Sequence, residues 1–163
     1  MREAIVAHLH TRHVARVIYG AIIGLSVILV LQNHPPAPVA VIGSLVATAV
    51  AVALAELYGE VVGTETRTHH RVSRTHLAEI GAEAGAVAFG ICFPAVFFLL
   101  AAAGAMEIDT AFDLAKWSGL GLIGFYGYAA ARLAGAPLLI CIVQAVFAAL
   151  IGAILIALKA LIH

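Results

Sequence analysis

Long apolar runs alternate with short polar breaks along the 163-residue chain. A membrane-spanning helix needs about 20 mostly apolar residues, within a range of about 17–25. Runs at 14–31, 39–63, 83–106, 117–133 and 138–161 meet that length. None shows the alternating pattern of a barrel strand, and in lipid each backbone group must pair within its own segment, so every run is predicted as a helix. Asn33-His34-Pro35-Pro36-Ala37-Pro38 predicts a tight non-helical turn, because proline removes a donor and disfavours helix in the residue before it. The 64–80 break is polar, with Arg67, Arg71 and Arg74 beside His69, His70 and His76, and the 107–113 break is short and acidic. The 134–137 turn is brief enough to predict that the last two helices are antiparallel neighbours. Gly90 and Pro94 predict a bend in the third run, since a proline frees a backbone carbonyl.

Composition places this pattern in a bilayer. Apolar residues make up 63% of the chain and charged residues 11%, against about 45–50% and about 25% in soluble domains. A chain this short cannot hide that much apolar surface from water. Soluble, disordered and nucleic-acid-binding classes are therefore excluded. Nine Lys+Arg balance nine Asp+Glu, leaving no net field to steer an anionic partner. Cys92 and Cys141 sit in apolar runs and form neither a metal-spaced pair nor a disulfide framework. The expected protein is all-α and polytopic, residues 1–163 forming one five-helix transmembrane domain with the lipid bilayer as its surroundings. The first run is longer than a signal-peptide core and leads directly into prolines, so it is predicted as a retained span. Arg2 and Arg12 precede the first run and Arg16 lies near its start, Arg67, Arg71 and Arg74 follow the second, and Arg132 lies at the end of the fourth. The other breaks hold almost no Lys or Arg, so the positive-inside rule predicts the N-terminus inside and the C-terminus outside, with Lys159 dissenting.

Ionisable groups within a span are costly and mark functional candidates. Glu56 and Glu60, four residues apart, share one helix face. Ser44 and Thr48 lie on the same drifting stripe, giving the second helix a polar seam expected to face protein or water. Glu79 and Glu83 repeat the spacing at the inner end of the third span, where they also fit a capping role at a helix N-terminus. Gln144 lies deep in the fifth span. Carboxylates gathered at one depth offer the oxygen ligands that hard divalent cations prefer, and their proximity raises one another's affinity for protons. The candidate metal ligands are therefore Glu56, Glu60, Glu79 and Glu83. His69, His70 and His76 fit a solvated basic loop, and His8, His10 and His13 an interfacial position. Gly20 and Gly24 form a small-xxx-small pair, and Gly121, Gly124 and Gly127 recur at threes; both patterns allow close helix contact. No nucleophile elbow, phosphate-binding loop or dinucleotide fingerprint is present, and an enzyme is not expected.

The order of these features resembles the vacuolar iron transporter family. Val17-Ile18-Tyr19-Gly20 resembles the family's opening of span one. Ala55-Glu56-Leu57-Tyr58-Gly59-Glu60 stands where the family has Ser-Met-x-x-Gly-Glu, Gly90-Ile91-Cys92-Phe93-Pro94 resembles its Gly-x-x-x-Pro, and Gly127-Tyr128-Ala129-Ala130-Ala131-Arg132-Leu133-Ala134-Gly135 its closing of span four. The family's span-one Asp falls at Ile23 and its methionine at Glu56, while Glu60 matches its glutamate. The metal-collecting helices of many members are reduced here to 64–80. The resemblance implies five spans with the amino end inside, a homodimer, and Glu56 and Glu60 of two protomers lining a shared cavity. It implies exchange of a divalent cation, Fe2+ or Mn2+ in type, for protons, with the ion as substrate and no permanently bound cofactor. Two other functions fit the same residues: a non-transporting scaffold or regulatory subunit, and a proton or monovalent-cation channel. The alanine-rich composition points to a bacterial cell (inner) membrane.

Overall fold

A computed structural model describes the backbone of residues 2–162 and the side chains of 13–158 and 161. The side chains of Arg2, His8, His10, Arg12 and Lys159 lie outside that description. Among the described residues the chain is helical throughout: α1 (Arg2–Leu31), α2 (Pro38–Thr68), α3 (Arg74–Cys92), α4 (Ala95–Ala102), α5 (Ile108–Leu133) and α6 (Leu138–Ile162).

The helix ends follow local chemistry. Pro38 opens α2, at the position where its missing N–H costs nothing. His69 closes α2 in the left-handed region at φ 54°. Ser73 caps α3, its hydroxyl accepting from the His76 N–H at 3.2 Å. Glu79 and Glu83 therefore lie in later turns and do not cap it. Gly104 and Gly135, at φ 77° and 76°, end α4 and the α5–α6 turn in left-handed caps. In the second, the Ala136 N–H reaches the Ala131 carbonyl at 3.0 Å.

Two of the expected polar breaks are shorter than the sequence suggests. Most of 64–80 is helical, because α2 runs through Thr68 and α3 begins at Arg74. Most of 107–113 belongs to α5, where Lys116 donates to Asp113 at 2.8 Å across one turn. That hydrogen bond, reinforced by the ammonium charge, holds the Asp113 carboxyl below its ordinary range. Polar residues can continue a helix beyond the apolar layer, so an apolar run understates helix length.

The third run bends as expected. Helices α3 and α4 meet at Phe93-Pro94 with a 48° change of direction. Helices long and apolar enough to cross a membrane are His13–Leu31, Pro38–Thr68 and Leu138–Leu158, and the bent α3–α4 pair makes a fourth if it is one span. Helix α5 falls short of that criterion, because Ser118, Gly119, Gly121, Gly124, Tyr126, Gly127 and Tyr128 dilute its apolar content. Among the described residues the protein is thus all-helical, with three helices suited to a bilayer, or four if the bent pair is one span.

Helix α1 is the centre of the bundle, packed on α3 and α5, while α2 lies against α3 and α6 against α5. The α1–α3 contact is backbone on backbone. A Cβ on Gly20 would overlap the Val87 carbonyl, one on Gly24 would sit 2.9 Å from the Ile91 carbonyl oxygen, and one on Gly90 would sit 2.7 Å from the Ala21 nitrogen. Successive contacts keep a constant separation along the chain, so α1 and α3 run parallel. Helices α5 and α6 run antiparallel, with Gly127 against Ala148 and Gly124 against Ala149. Beneath the α3–α4 bend, Phe98 and Phe112 meet edge to face with centroids 4.9 Å apart, both fully buried.

Gly20→Ala should destabilise the bundle by about 1–3 kcal/mol, because the new methyl meets backbone and no side chain can swing away. Gly121→Ala, where a Cβ meets nothing within 4 Å, should change stability by no more than about 0.5 kcal/mol. Thermal unfolding of both variants in one detergent would check the pair, and equal midpoints would contradict the packing account.

Candidate ion site

The α1–α3 register carries a charged group with it. Arg16 lies one four-residue step before Gly20, on the same face of α1, and Glu83 lies one such step before Val87 on α3. The constant separation of 67 residues seats Arg16 against Glu83. Its Nε and Nη2 donate to Glu83 Oε2 at 3.2 and 3.1 Å. Its Nη1 donates to Glu56 Oε2 on α2. One guanidinium thus joins three helices. The Arg16, Glu56 and Glu83 side chains are 29%, 20% and 14% exposed, so the network is largely shielded yet still reached by solvent.

Beside this network opens a cavity of about 420 Å3, lined by Arg16, Tyr19, Val52, Ala55, Glu56, Gly59 and Glu60. Two carboxylates and one guanidinium face it, an excess of one negative charge. Glu60 is the more exposed acid at 39%, with Oε1 3.6 Å from Nη2 of Arg67, itself 72% exposed. A pair that loose and wet contributes little. Glu60 therefore keeps its charge available to the cavity, whereas Glu56 arrives already paired.

The four candidate carboxylates do not converge in one protomer. Glu56 and Glu83 share Arg16, and Glu60 sits beside Glu56. Glu79 turns away to accept from His76 Nδ1 at 3.2 Å. Glu79 and Glu83 border a second hollow of about 300 Å3 with His13, Ala78 and Ala82. Among the described residues no three His, Cys, Asp or Glu side chains meet closely enough to hold a metal ion. The polar seam on α2 is consumed locally: the Ser44 hydroxyl donates to the Ala40 carbonyl at 2.9 Å and that of Thr48 to the Ser44 carbonyl at 2.7 Å. Gln144 is exposed on the apolar outer surface of α6, and Arg132 lies exposed at the end of α5.

Sequence reasoning counted Arg16 only as a topogenic charge. The signal that would have found its role was the ladder Arg16, Gly20, Gly24: once the glycines are read as a contact face, the arginine one step earlier must share it. A second ladder also went unread. Gly43, Ala47, Ala51, Ala55 and Gly59 repeat every four residues along α2, and all are exposed. Added Cβ atoms on Gly43 and Gly59 would meet nothing within 4 Å. Ala55 and Gly59 are also rim residues of the larger cavity.

No protein-family model, curated protein or solved structure matches the chain.

Arg16→Ala should cost about 3 kcal/mol, because it removes the cation that two partly shielded carboxylates on different helices share. Arg67→Ala should cost under about 1 kcal/mol. Chemical unfolding in matched micelles would check this, and equal losses for the two variants would contradict the account.

Proposed function

We propose that the protein is a membrane transporter that exchanges a divalent cation, iron or manganese in type, for protons. The observation that supports this reading is the cavity of about 420 Å3 in which Glu56 and Glu60 face open space beside a single guanidinium. Carboxylate oxygens suit hard divalent ions, and the excess negative charge attracts them. In this scheme Glu60 takes the ion first, since only a loose contact competes for it, and Glu56 completes the coordination. Protons cross the cavity in exchange for the ion, which couples the two fluxes in opposite directions. The resemblance of the span-two and span-three motifs to vacuolar iron transporters supports the same reading, with an oxygen ligand at Glu56 in place of the family's thioether. On this scheme α5 is also a span, giving five with the amino end inside, in a bacterial cell membrane.

The scheme includes a homodimer. The exposed small-residue ladder on α2 would let a second α2 approach closely. Its last two members border the cavity, so a partner seated there would roof the site and bring a second Glu56 and Glu60 toward the first. Glu79, with His76 and Glu83, would gather ions at the inner mouth.

One observation favours a second reading. Glu56 is already bonded to Arg16, as expected of a scaffold or regulatory subunit that keeps its charges internally satisfied. A flux measurement separates the two. Wild-type proteoliposomes should accumulate Mn2+ when an outward proton gradient (acidic lumen) drives the exchange, and Glu56→Ala/Glu60→Ala should reduce uptake to the protein-free level. Unchanged uptake in the double variant would overturn the site, no uptake in the wild type would favour the scaffold, and current persisting without any divalent ion would favour a channel.

The dimer has its own test. Ala51→Cys, in a chain lacking Cys92 and Cys141, should cross-link to a dimer on mild oxidation in membranes, while Val143→Cys on the outer face of α6 should not. The reverse pattern would reject the α2 interface.

A further inference from the structure

We propose that Arg16 is the charge-selecting element of this site: a tethered monovalent cation that competes with the incoming ion for Glu56 and retires onto Glu83. The inference rests on the reading of Glu56 and Glu60 as ion ligands, and it assigns roles to two residues, Arg16 and Glu83, that coordination alone does not explain.

Three observations carry it. First, Arg16 Nη1 is bonded to Glu56 Oε2 and both residues line the cavity, so a metal ion that is to take both oxygens of Glu56 must displace the guanidinium. Second, the withdrawal has a destination. The guanidinium is a rigid plane and leaves Glu56 as a unit, and its Nε and Nη2 already lie 3.2 and 3.1 Å from Glu83 Oε2, so a shift toward Glu83 takes it off Glu56 without leaving its charge unpartnered. Third, the backbone that carries Arg16 is braced. Gly20, one step along α1, packs directly on the Val87 backbone, which opposes sliding of α1 past α3. The competition is therefore a rearrangement of side chains.

Charge selectivity follows. A monovalent ion offers Glu56 no more charge than the guanidinium it must displace, and it lacks the planar fork that matches a carboxylate. A divalent ion offers twice the charge at shorter range and also engages Glu60. Arg16 thus raises the threshold for Na+ and K+ more than for Mn2+ or Fe2+. Glu83 sets how readily the guanidinium yields.

Mn2+ binding to the purified full-length chain in nanodiscs, followed by the loss of the free-ion paramagnetic signal, tests this with and without competing Na+. Arg16→Gln should lower the Mn2+ concentration at half saturation by about tenfold, the change expected from removing one charge-assisted competitor, and should make binding sensitive to Na+. Arg16→Lys should shift both back toward the wild type. Glu83→Gln should move the midpoint the opposite way, because the guanidinium then rests on Glu56 alone. If Arg16→Gln does not yield folded protein, Arg16→Gln/Glu83→Gln removes one charge of each sign and should still bind Mn2+ more tightly than the wild type. An unchanged or weaker midpoint without Na+ sensitivity, in whichever of these variants folds, would overturn the proposal and leave Arg16 a structural brace. So would absence of Mn2+ binding in both the wild type and the folded variant. Binding that behaves as stated in a protein that moves no Mn2+ across a bilayer would uphold Arg16 as the selecting element and reject transport.

Discussion

Backbone meets backbone where α1 crosses α3, and the geometry of the protein descends from that contact. Gly20, Gly24 and Gly90 remove the side chains that would hold the helices apart, and each would overlap or crowd the facing backbone if it carried a Cβ. Close approach of this kind is favoured in lipid, where burial of apolar groups gives no advantage over contact with acyl chains and dense packing must hold helices together. Because the contact is backbone on backbone, it tolerates no slippage. Arg16 is carried by that register to Glu83, and from there its guanidinium reaches Glu56 on α2. The ion pair is thus a consequence of the packing. A charged network on its own would be a weak organiser, since desolvation offsets much of its attraction.

Helix α2 plays a different part. It touches the bundle mainly through one flank on α3 and presents much of its surface outward. A lipid-facing helix has no need of small residues, yet α2 places alanine or glycine at every fourth position from Gly43 to Gly59. Small residues at that spacing leave a groove that acyl chains fill poorly and another helix fills well. The cavity lies at the end of this groove. Its acids are therefore held on an element with an unfilled face, while its arginine is held on the most tightly packed helix. That asymmetry leaves the acids of α2 beside an open groove while the backbone that carries the arginine is closely packed.

Much of this could be read from residues alone, and the remainder has physical causes. The α1, α2 and α6 cores were legible because uninterrupted apolar runs have one structural solution in lipid. The bend at Pro94 was legible because proline breaks the ladder of hydrogen bonds. Helix ends were not, since 64–68 and 108–113 are polar yet remain helical, which apolar patterning cannot register. Glu56 and Glu60 could be assigned to one face from spacing. Their divergence, Glu56 paired and Glu60 nearly open, depends on a partner 40 residues away along the chain. Glu79 and Glu83 also share spacing, but α3 turns one toward His76 and the other toward Arg16. Spacing along a helix fixes direction around that helix and says nothing of what stands opposite.

Helix α5 shows why apolar content and burial need not go together. It carries few large aliphatic residues and falls below the apolarity of its neighbours, yet it lies between α1 and α6 and buries Ala111, Phe112, Ala115, Gly119, Ile123, Gly127 and Ala131. Where other helices approach, a helix does not need to be greasy; it needs to be narrow. Glycine and alanine at three- and four-residue steps provide that narrowness, and α6 settles against it with Ala148 and Gly152. The large side chains move outward to α6, whose Leu139, Val143, Phe147 and Ile154 are exposed. Apolarity is concentrated where lipid would be the neighbour and smallness where protein is, and α1 is pinned between α3 and α5 by the same rule applied on two sides. That double pinning holds the backbone from which the Arg16 side chain extends to the two carboxylates.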